Sequence, residues 1–128
     1  MSEDIFGEII YAYTRKQAIE DGVLIDISET AAEAGFKFPV AITDTLFNQY
    51  IVPPIELEGL QDLQGRLWDM LVLLYYAIRS AKSNESTIYF TVRFLMKPRN
   101  YEDIRLKAIC GPGDEGEPVI TVMFPHED

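Results

Sequence analysis

Between Leu60 and Lys82 the apolar residues Leu60, Leu63, Leu67, Leu71, Leu74 and Ile78 recur three or four positions apart, with Met70 beside Leu71. That is the period of a helix with one buried stripe, and Trp68, Val72 and Tyr75 widen it enough to lie across a sheet. From Ile88 the period drops to two. Ile88, Phe90, Val92, Phe94 and Met96 share one side, while Tyr89, Thr91, Arg93, Leu95 and Lys97 share the other, as a half-buried strand requires. Ile104 to Cys110 alternates as well, with Arg105 and Lys107 outward and Leu106, Ala108 and Cys110 inward. Val119 to Phe124 reads as a return strand. Three successive strands predict an antiparallel meander carrying the long helix on its apolar face.

The first half is written in shorter pieces. Glu8 to Tyr13 is β-prone and predicts a strand. Thr14 suits the N-cap of a helix over Arg15 to Asp21, with Gly22 as its left-handed stop. Val23 to Ile27 predicts a second strand. Thr30-Ala-Ala-Glu33 has capping-box spacing for a short helix that Gly35 ends, and Gly35 to Val40 runs extended into Pro39. Thr43 caps a brief helix reaching Tyr50, and Pro53-Pro54 is the one candidate hinge, followed by an acidic turn from Glu56 to Gly59. The predicted fold class is α+β: an antiparallel sheet, built from the C-terminal three-stranded meander and N-terminal strands, packed against one long helix, with short helices near the N-terminus. The pattern shows no internal repeat and predicts a single domain over residues 1–128.

Composition narrows the function classes. The 128 residues are 48 % hydrophobic, the fraction of a folded globule, so the net charge of −10 is not that of a disordered tail. The longest apolar run, Met70 to Ile78, has nine residues, well short of the ~20 that cross a bilayer. The opening Met-Ser-Glu-Asp-Ile-Phe lacks the basic and apolar stretches of a secretion signal. A single cysteine excludes an internal disulfide framework and suits a reducing cytoplasm. Charge is sorted along the chain: residues 1–65 carry twelve carboxylates against Arg15, Lys16 and Lys37, residues 66–107 carry eight cations against four acids, and residues 108–128 carry five acids and no base. An acidic chain is repelled by nucleic acid and anionic membrane, so neither is expected as a direct partner.

No catalytic signature stands out. The loop Gly111-Pro-Gly-Asp-Glu-Gly-Glu-Pro118 is glycine-rich, but its carboxylates oppose a phosphate, and three acids do not make an EF-hand. A hairpin turn explains it without a ligand. His126 is the sole histidine, which rules out a two-His metal motif and leaves a Ser-His-Asp triad without a placed base. Cys110, on the inward side of its strand, reads as an inert hydrophobe. Arg15 with Asp21 or Asp26 offers a candidate polar centre for acid–base work, with a capped helix bearing surface ion pairs as the plainer account. The outward cations Arg93, Lys97, Arg99, Arg105 and Lys107, with Tyr89 and Tyr101, suggest a nucleic-acid platform. The −10 charge argues against it and favours pairing with Glu85, Glu102 or Asp103. No cofactor, metal ligand or catalytic residue is assigned.

Four stretches carry a resemblance: Tyr13-Thr-Arg-x-x-Ala-Ile-x-Asp-Gly-Val-Leu-Ile-Asp-Ile-Ser28, Ala34-Gly-Phe-Lys-Phe-Pro-Val-Ala-Ile42, Gln64-Gly-Arg-Leu-Trp-Asp69, and Lys107-Ala-Ile-Cys-Gly-Pro-Gly-Asp-Glu-Gly-Glu-Pro-Val-Ile-Thr-Val-Met-Phe-Pro125. In this order they resemble a family of small uncharacterised bacterial, phage and plasmid proteins. The family pattern has Asp, Ile and Leu where this chain has Glu115, Val122 and Phe124, and a longer connection near Pro53-Pro54. The resemblance implies cargo of a mobile element, near counter-defence and plasmid-maintenance genes, and brings no activity.

Two expectations of different class follow. The first is a non-enzymatic acidic protein that binds a basic, nucleic-acid-handling protein, in the manner of DNA-mimicking anti-CRISPR or antirestriction proteins. Its partner-binding residues are Glu20, Asp21, Glu29, Glu33, Asp114, Glu115 and Glu117. The alternative is a small enzyme or ligand-binding domain with a pocket near Tyr13, Arg15 and Asp26, or an accessory protein with a different partner. The first requires the acids from both ends of the chain to meet in space.

Overall fold

The computed structural model describes residues 13–82 and 84–127. The strand expected over Glu8 to Tyr13 therefore lies outside the described residues, save for Tyr13 itself. The chain runs α1 (Arg15–Glu20), β1 (Leu24–Asp26), α2 (Ser28–Glu33), β2 (Val40–Thr43), α3 (Asp44–Leu46), α4 (Leu63–Ser80), β3 (Thr87–Lys97), β4 (Asn100–Pro112) and β5 (Pro118–Met123). The α3 turn passes into a π-helical turn, Phe47–Ile51, and a 3-10 turn, Ile55–Leu57, precedes α4. The expected α+β class holds. The five strands form one sheet in the order β1-β2-β5-β4-β3, antiparallel except where β2 runs parallel to β5.

The meander β3-β4-β5 forms as the alternation predicts. Ile88, Phe90, Val92 and Phe94 point into the core with Leu106, Ala108, Ile120 and Val122, and α4 covers them with Leu67, Met70, Leu71 and Leu74. The long helix begins later than its apolar period suggests. Asp62 is its N-cap, accepting the Gly65 amide at 2.7 Å, and Leu60 stays outside, 68 % exposed. Pro53-Pro54 is bracketed by Ile51 and Leu57, both fully buried, so the segment is pinned at each end.

Two short elements differ from their sequence reading. Thr30 does not cap α2. The helix starts at Ser28, and Asp26 Oδ1 accepts both the Ser28 amide (3.0 Å) and its hydroxyl (2.6 Å), leaving Thr30 inside the helix. Strand β2 lies second in the sheet, paired on both sides, and Val40, Ala41, Ile42 and Thr43 are all buried. A strand covered on both faces has no polar alternation to betray it. Thr14, Gly22, Gly35 and Thr43 take the capping and stop roles expected of them.

Candidate functional site

The hairpin between β4 and β5 returns to the start of the described chain. Asp114 Oδ1 accepts the Arg15 amide at 2.8 Å and Oδ2 accepts the Lys16 amide at 3.0 Å. Thr14 Oγ1 takes the Gln17 amide at 3.0 Å, and the Gln17 side chain accepts the Thr14 amide in return. The first-turn amides of α1, which a helix cannot satisfy itself, are thus held by the cap and by a carboxylate about a hundred residues away. The Lys16 and Arg15 amides hold the Asp114 carboxyl below the usual carboxylate range. Gly116 turns the hairpin at φ +83°, and the Gly113 amide donates to the Glu117 carbonyl at 2.6 Å.

Arg15 then reaches from α1 to β5. Nη1 donates to Thr121 Oγ1 at 2.6 Å and Nη2 to the Ile120 carbonyl at 2.9 Å. Desolvation lowers the guanidinium pKa against the opposing pull of Asp26, Asp114 and Glu117. Thr121 alternates with the core residues Ile120 and Val122, so α1 sits on the sheet face opposite α4.

The predicted acids fall into three groups. Glu20, Asp114 and Glu117 line one concavity of about 280 Å³ with Asp26, Arg15 and Lys16. Asp21 accepts the Tyr13 hydroxyl at 2.6 Å, and this hydrogen bond, with burial behind it, pushes the tyrosine pKa up. Glu29 and Glu33 stand exposed on α2, and Glu115 is exposed at the hairpin tip. Of these acids, Glu20 from the first half and Asp114 and Glu117 from the last segment therefore meet, near the β1 edge of the sheet and beside Arg15 and Lys16. The cations Arg93, Lys97, Arg105 and Lys107 lie on β3 and β4, toward the other edge. There Arg93 pairs with Asp103 across the strands at 2.8 Å, and Arg105 stacks on Tyr89 with its guanidinium carbon 4.9 Å from the ring centre.

The alternative pocket divides around Arg15. Tyr13 and Arg15 border a concavity of about 740 Å³ floored by Ile109, Val119 and Met123, while Asp26 borders the smaller one. Arg15 is common to both. At the far wall of the larger one Glu127 accepts hydrogen bonds from Thr45 (2.6 Å), the Phe124 amide (2.9 Å) and Thr43 (3.0 Å). Burial pushes the Glu127 carboxyl up, but these bonds outweigh it and hold the pKa below its ordinary value. The sequence reading passed over Glu127, because nothing local ties a near-terminal acid to Thr43 and Thr45.

Cys110 is half-buried beside the core, and burial raises its thiol pKa, as suits an inert residue. Among the described residues no group of three or more His, Cys, Asp or Glu is placed to hold a metal ion. No described helix is long and apolar enough to cross a membrane. No curated protein and no solved structure matches the chain significantly. A family model described as a family of unknown function (DUF6573) matches residues 4–128, and the chain belongs to that family.

Proposed function

We propose that this is a non-enzymatic acidic binding protein of a mobile element, acting in the cytoplasm on a basic, nucleic-acid-handling protein in a counter-defence role. The observation that supports the reading is the Asp114 bridge to α1, which brings Asp114 and Glu117 to the same concavity as Glu20 and Asp26; on this reading these acids belong to one anionic edge. Arg93 and Lys97 lie on β3, the sheet edge opposite β1, and Arg105 and Lys107 lie on β4. A basic groove that normally holds a phosphate backbone is complementary to such an anionic edge, and the attraction accelerates encounter and weakens with salt.

Glu20, Glu29, Glu33 and Glu115 suit the test, because their side chains make no hydrogen bonds among the described residues. Asp21, Asp114 and Glu117 also serve internal contacts, so reversing them would confound folding with binding. Co-expression with a panel of restriction and CRISPR systems should restore transformation by unmodified or targeted DNA at least tenfold in one of them. Reversal of the four glutamates to lysine should abolish that rescue. No rescue across the panel, or rescue that survives the reversal, defeats the reading.

The pocket bordered by Tyr13 and Arg15 favours a second reading, a ligand-binding domain. Its apolar floor beside a half-buried guanidinium is the specific feature. Small ligands that raise the melting temperature of both the wild type and the four-glutamate variant would support it over the first.

A further inference from the structure

The outer face of α4 carries two exposed aromatic rings where a solvent-facing helix is normally polar. At 3.6 residues per turn, Gly65, Trp68, Asp69, Val72, Tyr76 and Arg79 fall within an arc of about 100° on the side away from the sheet. Trp68 is 40 % exposed and Tyr76 63 % exposed. Beside the first turns of the helix lies a concavity of about 650 Å³ walled by Leu60, Gly65, Arg66, Trp68 and Asp69. Gly65 contributes no side chain to it, and a Cβ there would come within 3.0 Å of the capping Asp62 oxygen.

These features are self-complementary about Val72. Trp68, which walls the C-terminal end of the concavity, stands four residues before it, and Tyr76, the exposed ring, stands four residues after it. Turning a second helix antiparallel about a two-fold axis at Val72 sets the Tyr76 of each copy against the concavity of the other, which is how an isologous interface is built. Charge agrees with that orientation. The exposed acids Asp62 and Asp69 lie in the N-terminal half, and the exposed Arg79 and Lys82 lie at the C-terminal end. Antiparallel pairing brings each acidic half against a basic end and opposes the helix dipoles, whereas parallel pairing aligns like charges.

We propose that the outer face of α4 is a homodimer interface, in which two copies pack antiparallel and the Tyr76 ring of each enters the concavity between Leu60, Gly65 and Trp68 of the other. The α4 strip is about 27 Å long and about 10 Å wide, smaller than the ~800 Å² per partner of a standard interface. The dimer should therefore be weak and concentration-dependent. Its test reads association of the chain with itself, so it stands or falls apart from the function proposed above.

Sedimentation equilibrium from low micromolar to several hundred micromolar tests it. The expected result is a monomer–dimer equilibrium, with a parallel fall in acrylamide quenching of Trp68, the only tryptophan in the chain. Tyr76→Asp should remain monomeric throughout while keeping the wild-type circular dichroism spectrum. Trp68→Gln, altering the receiving side, should weaken association at least tenfold. A wild type that stays monomeric at several hundred micromolar overturns the proposal. So does a dimer that survives Tyr76→Asp, because it would use another surface.

Discussion

Arg66 holds a permanent positive charge where little water reaches it, at 3 % exposure. Its Nε donates to the Tyr50 carbonyl at 2.8 Å, Nη1 donates to the Leu95 carbonyl at 2.7 Å and to Gln61 Oε1, and the guanidinium carbon lies 5.1 Å from the Phe94 ring centre. Desolvation lowers its pKa, with Asp69 opposing. One side chain thus ties α4 to the π-helical turn, to the loop before the helix and to β3. Arg66→Met should destabilise the fold by about 1–3 kcal/mol, because buried carbonyls left without donors lose more than the apolar stem recovers. The check is a lower urea midpoint at unchanged slope; an unchanged midpoint would mean that water replaces the guanidinium. The sequence gives no sign of this burial. Arg66 adjoins the apolar stripe of α4, where a cation ordinarily reaches solvent, and its partners Tyr50 and Leu95 are fixed only by the finished fold. Thr14, Thr43 and Gly35 were legible because capping and left-handed turns depend on neighbours in the chain.

At the scale of elements, local pattern carried α4 and the meander, while the order of strands in the sheet depended on contacts far apart in sequence. Strand β2 is the clearest case. Four buried residues offer neither the period of a helix nor that of a half-exposed strand, and their parallel pairing with β5 bridges about eighty residues. Helix α1 shows the reverse, a local signal completed from a distance. Six residues are too few for a helix to persist alone, so its first-turn contacts decide whether it stays formed. Thr14→Ala should cost about 1 kcal/mol and speed exchange of the Gln17 amide while Arg15 and Lys16 stay protected. Asp114→Ala should do the opposite, removing both acceptors, speeding Arg15 and Lys16 and leaving Gln17 slow. Amide exchange followed by NMR separates the two outcomes. Uniform acceleration in both variants would mean that α1 opens as a unit and that the hairpin does not hold its end independently.

For the molecule as a whole, the sorting of charge was visible in the sequence, but its consequence in space required the sheet order. With β1 and β3 at opposite edges and the β4–β5 hairpin folded back onto α1, Glu20 and Asp26 share one concavity with Asp114 and Glu117 from the other end of the chain. Two opposing effects then set the response to pH. At neutral pH the net charge of −10 makes the fold repel itself, so added salt should raise its stability. Acidification first relieves that repulsion. Asp114 and Glu127 act in the other direction, because both carboxyls are held below their ordinary values in the folded state. The unfolded chain therefore binds protons more readily at these sites than the folded chain. Their stabilisation is complete above the unfolded values, about 3.9 for Asp and 4.3 for Glu, and is lost as pH falls through the lower folded values. Urea midpoints measured in high salt, where the general repulsion is screened, should stay level from neutrality to about pH 5 and then decline. The double variant Asp114→Asn, Glu127→Gln should start from a lower midpoint and decline less steeply in acid, since it has no depressed carboxyls at these sites to protonate. Parallel acid limbs in variant and wild type would assign the acid sensitivity to other carboxylates, and would mean that the hydrogen bonds from Lys16, Arg15, Thr45, Phe124 and Thr43 do not distinguish the folded state from the unfolded one.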